Sequence, residues 1–555
     1  MSKYKAGDVF TFPCGCKFNV IEDSEEFPLL DFNPDPNDLN LECELTWDLI
    51  GKGNTKGVFQ LESPLGRTWS KKLAPENIEQ LSALVAILRP GCLEAMRDGK
   101  SVTKHYVDRK NGEEPVEYYH PALEPLLGET FGEMIYQEQA MHIARDLAGF
   151  DLQQADVLRK AIGKKLPEVM AKVKGEFLEG CKNMEIVTDE EAEQIFGWIE
   201  KSQRYSFNKS HSVSYAINAY MSAYAKAHFR RAFFTSYLYY AKEKQKPFEE
   251  IAELINNAKT MGVDVLPPDF RILNEEFKIW NSNIHFGMFN IKGIGMSIVE
   301  KLRNAADGAE KRLMCKRGKW SWPVFLVYYS QNVTSTAVKN MIMSGALDYF
   351  GVSRTQMLYD YDLFSKLTKR EIEWAQAHNV GKGTTDTLVT ILEAVKASGS
   401  GKGNAMANKN RVTKVAELLS LRKHPPRSMV DSDEWAAQVE ESLLGISLTT
   451  SVVESCDKSD ANATCMEATK STGGRYDLLC VACKVDEVKE ITDKNKRKMA
   501  FLTVSDASGQ LECVAFQKEW KSCKRLCTAD NTIMAIGKKG KDGAFVINKI
   551  RQLNP

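Results

Sequence analysis

A change of hydrophobic period near Tyr476 constrains this chain more than any other feature. From Leu45 to about Arg231, apolar residues recur at spacings of three and four, in Ile78–Leu88, Ala140–Leu147, Asp189–Ile199 and Val213–Ala227, which is the period of one helix face. After Tyr476 come five short apolar or alternating runs, Leu478–Val485, Met499–Val504, Leu511–Phe516, Thr532–Ile536 and Ala544–Ile547. Charged or Gly-containing turns separate them, Ser505-Asp-Ala-Ser-Gly509 being the clearest. Helices and strands present different residues to a core, so the two stretches belong to different domains. The expected fold class is multidomain: a mainly α-helical body followed by a small β-barrel. An OB-type barrel needs five strands of this length; any other five-stranded β-domain with a structural role fits the spacing equally.

Length supports the division, because 555 residues exceed what one core holds, cores ceasing to grow near ~250 residues. Hydrophobic residues at 43% and charged residues at 27% match ordinary globular usage and exclude a disordered chain. No apolar run approaches the ~20 residues that span a bilayer, and MSKYKAGDVF has no signal-peptide core; a cytoplasmic protein without membrane contact is expected. Thirteen scattered cysteines suit reduced thiols. Asp8 to Glu22 alternates around Cys14-Gly15-Cys16 and reads as a small hairpin. Cys43 lies beyond it, but Cys-x-Cys without a second pair is read as a reduced hairpin, with no metal expected.

The expected domains are 1–44, an N-terminal hairpin and extension; 45–270, helical; 271–395, a short mixed α/β piece leading into helices; 396–474, a linker, flexible over Ala397 to Asn410, with a helical segment; and 475–555, the barrel. The 74 basic and 74 acidic residues cancel, so distribution matters more than the sum. Lys201 to Arg231 carries six Lys or Arg and no Asp or Glu. With Tyr205, Phe207, Tyr215, Tyr220, Tyr224 and Phe229 between them, this stretch reads as a local positive surface.

Within it, Ser206-Phe-Asn-Lys-Ser-His211 sets Asn208, Lys209, Ser210 and His211 at the start of a helix, where charge and backbone N–H groups would stabilise a phosphate. The plain alternative is an ordinary helix cap. Arg159, Lys160, Lys164 and Lys165 put four positive charges at a helix end, where they repel unless an anion or solvent screens them. Tyr136-Gln137-Glu138-Gln139 is a polar group in apolar sequence, either a base-contacting element or a helix start with satisfied amides. Ile291-Lys292-Gly293-Ile294-Gly295-Met296 has the form of a hairpin whose glycines admit a phosphate, or of a plain turn.

Together these motifs resemble one family, the alpha subunit of bacterial DNA polymerase III, the C-family replicative polymerases. The resemblance rests on Thr55-Lys-Gly-Val-Phe-Gln60-Leu-Glu62-Ser63, Leu88-Arg-Pro-Gly91, Tyr136–Gln139, Ala155–Lys165, Phe207–Ser212, Leu266-Pro-Pro-Asp269, Lys292–Gly295, Met343-Ser-Gly-Ala-Leu-Asp348 and Leu443-Leu-Gly-Ile446, in the family's order. It implies that 45–270 are fingers, with Gln60, Glu62, Ser63, Gln137, Glu138 and Gln139 as their polar motifs. Arg159 to Lys165 and Asn208 to His211 then meet the incoming dNTP and the primer–template. It makes Lys292, Gly293 and Gly295 a duplex-binding helix–hairpin–helix, and the last domain an OB-fold holding single-stranded template, with Lys498, Phe501, Phe516 and Trp520 offered as its contacts.

Departures matter as much. The family's palm carries three aspartates, two of them in an Asp-x-Asp strand, that hold two Mg²⁺ for phosphoryl transfer; this sequence has no such strand, and Asp31 stands somewhat like the last of them but at a shorter spacing to Gly57 than the family's. Cys92 and Thr450-Ser451 replace residues of the family's Arg-Pro-Gly-Pro and Gly-His-Pro. The expectation is a DNA-directed DNA polymerase whose palm and thumb come from a separate chain, as a bacteriophage could encode. The alternatives are a non-catalytic DNA-binding accessory and a single-stranded DNA-binding protein acting through its barrel. A sliding clamp is a further possible partner; Asp360-Tyr-Asp-Leu-Phe364 has the right Leu-Phe pair but reads as a core helix face.

Overall fold

The computed structural model describes residues 3–25, 28–164, 167–202, 205–471, 478–493, 497–529, 531–540 and 544–553. The chain forms two compact units, Met1–Phe233 and Phe234–Pro555. It is mainly helical, with a closed barrel at the C-terminal end. Among the described residues no helix is long and apolar enough to cross a membrane.

The first unit opens with a meander of β1 (Val9–Thr11), β2 (Lys17–Glu22) and β3 (Leu29–Leu30). β1 and β2 pair antiparallel, Phe10 opposite Phe18, and the turn between them passes through Gly15 at φ +83°, a conformation glycine adopts without strain. This is the hairpin expected around Cys14 and Cys16. A helix at Glu44–Gly51 follows, with Cys43 at its N-cap.

The helices Gln137–Ala148, Leu152–Lys164, Pro167–Met184 and Asp189–Ser202 close over one core containing Ile143, Leu147, Leu158, Phe177, Phe196 and Ile199. Beside it runs the 20-residue helix Lys209–His228, about 30 Å long at ~1.5 Å per residue. Ala216, Ala219 and Ala223 lie on its buried side. A polar cluster braces the same unit: Glu114 accepts from His105 at 2.8 Å, Lys100 at 3.0 Å and Arg109 at 2.8 Å. Burial alone would raise the Glu114 carboxyl, but these donors outweigh it and hold the group at about 2.

In the second unit the Leu266–Asp269 motif leads into a small sheet of Val265–Leu266, Asn283–His285 and Lys278–Trp280. The Met343–Asp348 and Leu443–Ile446 motifs serve structure: buried Arg354 bridges Asp348 at 2.6 Å and Glu440 at 2.7 Å, and Glu440 also accepts from Thr449 N at 3.0 Å. Buried charges need such complete pairing. Asp360–Phe364 is the core helix face the sequence suggested, with Asp360, Tyr361, Leu363 and Phe364 all buried; a clamp has no access to this Leu-Phe pair. The glycine-rich stretch 397–410 departs from the flexible linker expected of it. Ala405 and Met406 are fully buried, and Arg370 Nε donates to the Asn404 carbonyl at 3.1 Å. Gly399, Gly401 and Gly403, all at positive φ, form a tight packed loop.

The barrel consists of β4 (Leu479–Thr492), β5 (Lys498–Asp506), β6 (Gly509–Ala515), β7 (Thr532–Lys539) and β8 (Phe545–Gln552). It closes in the order β5-β6-β8-β7-β4, with β6 and β8 parallel and every other pair antiparallel. Alternate residues such as Val481, Cys483, Leu502, Val504, Ile533 and Phe545 fill the interior, as closure of a small barrel requires. The expected Ser505–Gly509 turn is present, Asp506 Oδ1 accepting from Ser508 N at 2.7 Å and Gly509 N at 3.2 Å. The helix Gln517–Cys523 packs Trp520 and Cys523 onto the core.

Candidate nucleotide and nucleic-acid interface

The sequence predicts a phosphate-facing turn at Asn208–His211, and the structure makes it the start of the Lys209–His228 helix. Asn208 is the N-cap, its Oδ1 accepting from His211 N at 2.8 Å and from the Ser210 hydroxyl at 2.7 Å. Its amide donates to Glu138 Oε1 at 2.8 Å, and Lys209 N donates to Glu138 Oε2 at 2.9 Å. One carboxylate thus satisfies a helix N-terminus, where negative charge is favoured. A parallel bridge between Tyr136 and Phe207 holds the two segments together, with Gln137 N on the Phe207 carbonyl at 2.9 Å and Phe207 N on the Ile135 carbonyl at 2.9 Å. Two motifs therefore form one structural unit although Glu138 and Asn208 stand 70 residues apart.

The members of Tyr136–Gln139 have different duties. Gln139 is buried: its Oε1 accepts from Ile135 N and Tyr136 N, both at 2.9 Å, and its Nε2 donates to Thr130 at 2.7 Å. Here the satisfied-amide alternative is correct. Tyr136 is buried against Ser82, its hydroxyl 3.0 Å from Ser82 Oγ, and burial pushes the phenol up to about 12. Glu138 is the residue that reaches the Asn208 turn.

Lys209 Nζ reaches Glu129 at 2.7 Å with both side chains exposed. Exposed pairs of this kind contribute only ~0.2–1 kcal/mol, so a phosphate carrying more charge can displace Glu129. From the turn a connected strip of rings runs along the helix. Arg89 stacks 3.8 Å over Phe207. Phe207 lies 5.5 Å from His211, His211 lies 4.1 Å from Tyr215, and Tyr215 lies 5.2 Å from exposed Phe59. A guanidinium and aromatic faces in one row suit stacking with bases. Sequence reasoning missed Phe59, Arg89 and Glu129 as members; Arg89 and Phe59 lay inside quoted motifs, but only the fold brings them to the helix.

The Thr55–Ser63 loop is fixed to the same helix. Gln60 sits at φ +64° and is exposed, as is Glu62, and Ser63 caps the helix Pro64–Leu73 by accepting from Gly66 N at 3.0 Å. Beneath the loop, Lys226 Nζ donates to the carbonyls of Asn54 at 2.9 Å and Lys56 at 2.7 Å. Burial drives this ammonium down to about 7. Lys226 is wholly buried, so it adds nothing to the positive surface expected over 201–231, and the sequence count of six overstated that surface.

Arg159 and Lys160 are engaged within their own helix. Both pair with Asp156, at 2.8 and 2.7 Å, and these partners hold the Asp156 carboxyl below the ordinary range. The Lys164 side chain and Lys165 lie outside the described residues. Asp31 is exposed after β3, its N–H on the Asn19 carbonyl.

In the second unit, Gly293 sits at φ +84° in the turn before the helix Met296–Leu313, with Gly295 at its N-cap. The Lys292 carbonyl accepts from Asn340 at 2.9 Å, and Lys292 N donates to the Leu443 carbonyl at 2.9 Å. The element before the hairpin is a single 3₁₀ turn, Met288–Asn290, rather than an α-helix. On the barrel, Phe501 and Phe516 are exposed, and Lys498 pairs with Glu490 at 3.0 Å. Trp520 was expected to contact single-stranded nucleic acid. It is instead buried, with Nε1 on Glu490 at 2.8 Å, so its ring cannot stack on a base.

Among the described residues, one group of three or more His, Cys, Asp or Glu places its donor atoms close enough to share an ion: Cys14, Cys16, Cys43 and His228. Mg²⁺ takes oxygen ligands, and this sulfur-rich set does not fit it.

Residues 20–185 match the family described as the bacterial DNA polymerase III alpha subunit finger domain, and residues 481–551 match the OB-fold nucleic acid binding domain. DNA polymerase III subunit alpha of Aquifex aeolicus is 30% identical over 501 residues, covering 90% of this chain and 38% of that protein. That of Bacillus subtilis is 27% identical over 507 residues, covering 91% and 41%. That of Thermus aquaticus is 35% identical over 322 residues, covering 56% and 25%. The chain spans about two-fifths of the length of the first two relatives.

Proposed function

From a chain related over nine-tenths of its length to the alpha subunits of bacterial DNA polymerase III, we propose a share of template-directed DNA synthesis: this chain binds the incoming dNTP and the primer–template, and a palm on a separate chain holds two Mg²⁺. The observation that carries the reading is the Asn208–His211 turn, where Lys209 rests on a displaceable exposed carboxylate and the Arg89–Phe207–His211–Tyr215–Phe59 strip continues from it. Lys209 neutralises phosphate charge, the helix N-terminus adds its dipole, and the rings stack on bases. Exposed Phe501 and Phe516 suit single-stranded template on the barrel, and the Lys292–Gly295 turn suits duplex backbone.

The test is primer extension with Mg²⁺ and dNTPs, on this chain alone and on the chain copurified with its native partner. Activity only in the copurified sample supports the two-chain enzyme. Activity of the lone chain sinks the partner requirement, and activity in neither sinks synthesis.

A second reading, a DNA-binding accessory without chemistry, is favoured by one observation: Lys209, Arg159 and Lys160 all have carboxylate partners already. Lys209→Ala decides between them. Loss of incorporation with DNA binding kept supports the polymerase, and unchanged synthesis by the reconstituted pair supports the accessory.

A further inference from the structure

At the opposite end of the Lys209–His228 helix from the phosphate-facing turn, three segments remote in sequence bring their sulfurs and one imidazole together. Cys14 and Cys16 come from the β1–β2 turn, Cys43 from the N-cap of the helix Glu44–Gly51, and His228 from the last turn of the long helix. Their four donor atoms all lie within 4.8 Å of one another, and Cys16, Cys43 and His228 are buried. Cys14 Sγ is 3.3 Å and Cys43 Sγ is 3.7 Å from His228 Nε2. A tetrahedral zinc with Zn–S of ~2.3 Å and Zn–N of ~2.0 Å has S···N edges of about 3.5 Å and S···S edges of about 3.8 Å. The two S···N distances bracket the S···N edge of that polyhedron, and all four donors fall within 4.8 Å of one another.

The surroundings orient the donors inward. His228 Nδ1 is 2.9 Å from the Tyr224 carbonyl. A carbonyl only accepts, so Nδ1 carries the hydrogen and the Nε2 lone pair faces the sulfurs, the second-shell arrangement that holds a metal-ligating imidazole. Asn40 Nδ2 donates to Cys16 Sγ at 3.6 Å, and Asn40 is itself held, its carbonyl accepting from Tyr220 Oη at 2.6 Å. Phe12 and Phe18 pack edge-on or tilted against the His228 ring, at 4.8 and 5.5 Å. Three thiols cannot all be consumed by disulfides, and all three are free.

The meander has reason to need such a tie. Its strands are largely exposed, Val20 being the one strand position fully buried, and a three-stranded piece with so little core does not hold its place by apolar burial alone.

We propose that Cys14, Cys16, Cys43 and His228 bind one zinc ion as a closed structural site that fastens the N-terminal hairpin to the C-terminal end of the long helix. Sulfur-rich tetrahedral donors select zinc over Mg²⁺ or Ca²⁺. With all four positions filled by protein the ion has no vacancy for water or substrate, and it lies about 30 Å along the helix from Lys209.

The test is the metal content of the full chain expressed in zinc-supplemented medium, with Co²⁺ exchanged for zinc as a spectroscopic probe. The proposal expects about one zinc per chain, tetrahedral d–d bands and sulfur-to-cobalt charge transfer. The double variant Cys14→Ser/Cys43→Ser should lose the metal, and Cys315→Ser, in the other unit, should keep it. Should the double variant fail to fold, His228→Cys decides: it keeps one metal and strengthens the charge-transfer bands, because four sulfurs replace three. A chain purified without stoichiometric zinc, full zinc retained by the double variant, or a Co²⁺ spectrum unaltered by His228→Cys would each overturn the assignment.

Discussion

The two ends of the Lys209–His228 helix solve opposite problems with similar means. At its start, polar side chains are half-buried or exposed, and each has a partner that a stronger ligand can replace: Glu129 for Lys209, and Glu138 for the Asn208 amide and the Lys209 backbone. At its end, Cys16, Cys43 and His228 are buried beside aromatic rings, with Cys14 half-buried, and their polar atoms converge. Exposure decides which groups can exchange. An ion pair in water is worth little and gives way, whereas a largely buried cluster keeps what it holds. One helix therefore ties a permanent joint at one end to an exchangeable contact at the other.

The comparison breaks if removing a ligand at the closed end costs no more than removing a contact at the open one. Cys43→Ser should lower stability by ~4–5 kcal/mol, the range of a lost metal site, and move the thermal transition of the first unit by about 10–20 °C; differential scanning calorimetry reads it. The barrel repeats the contrast. Trp520→Ala should cost ~3–5 kcal/mol of stability, while Phe501→Ala should leave melting unchanged and weaken single-stranded DNA binding by ~1–3 kcal/mol, measured by fluorescence anisotropy. Lys209→Ala should leave the melting temperature nearly unchanged and cut dNTP use by the reconstituted enzyme roughly ten- to hundredfold, since a charged hydrogen bond to phosphate is worth ~1.5–3 kcal/mol. An equal loss of melting temperature in Lys209→Ala would erase the distinction between the ends.

The smallest effect concerns acid. Glu114 falls from an ordinary 4.5 to about 2 in the fold. Its contribution is complete above pH 4.5, where the unfolded chain is also ionised, and is lost as pH falls toward 2, because protonating the folded carboxyl breaks its bonds to His105, Lys100 and Arg109. Glu114→Gln should flatten that part of the stability–pH profile.

The barrel was the most legible part of the sequence, because period-two alternation and the Asp506–Gly509 turn are local signals. The strand beginning at Leu479 ran further than its apolar run, to Thr492, since its second half alternates charged exposed residues that carry no hydrophobic mark. A helix start within Ser206–His211 was legible for the same local reason, but its cap is Asn208 and not a following serine. Glu129 was not, standing 80 residues from Lys209. Lys226 looked like surface charge because nothing in its neighbours reveals two carbonyls from the 54–56 loop waiting beneath it. Trp520 looked like a stacking residue because composition cannot tell the inner from the outer face of a short helix. The cysteine cluster defeated spacing altogether, since its imidazole comes from another segment.

That separation sets an order of events during synthesis. His228 lies 214 residues after Cys14, so at ~5–20 residues per second a ribosome takes roughly 10–40 s to deliver it after the hairpin has been made. For that interval the N-terminal strands have no helix end to dock on, and Phe12, Phe18 and three thiols wait uncovered. The beginning of this chain is among the last parts of its first unit to reach its place, and nascent chains should show those thiols open to alkylation until the long helix has emerged.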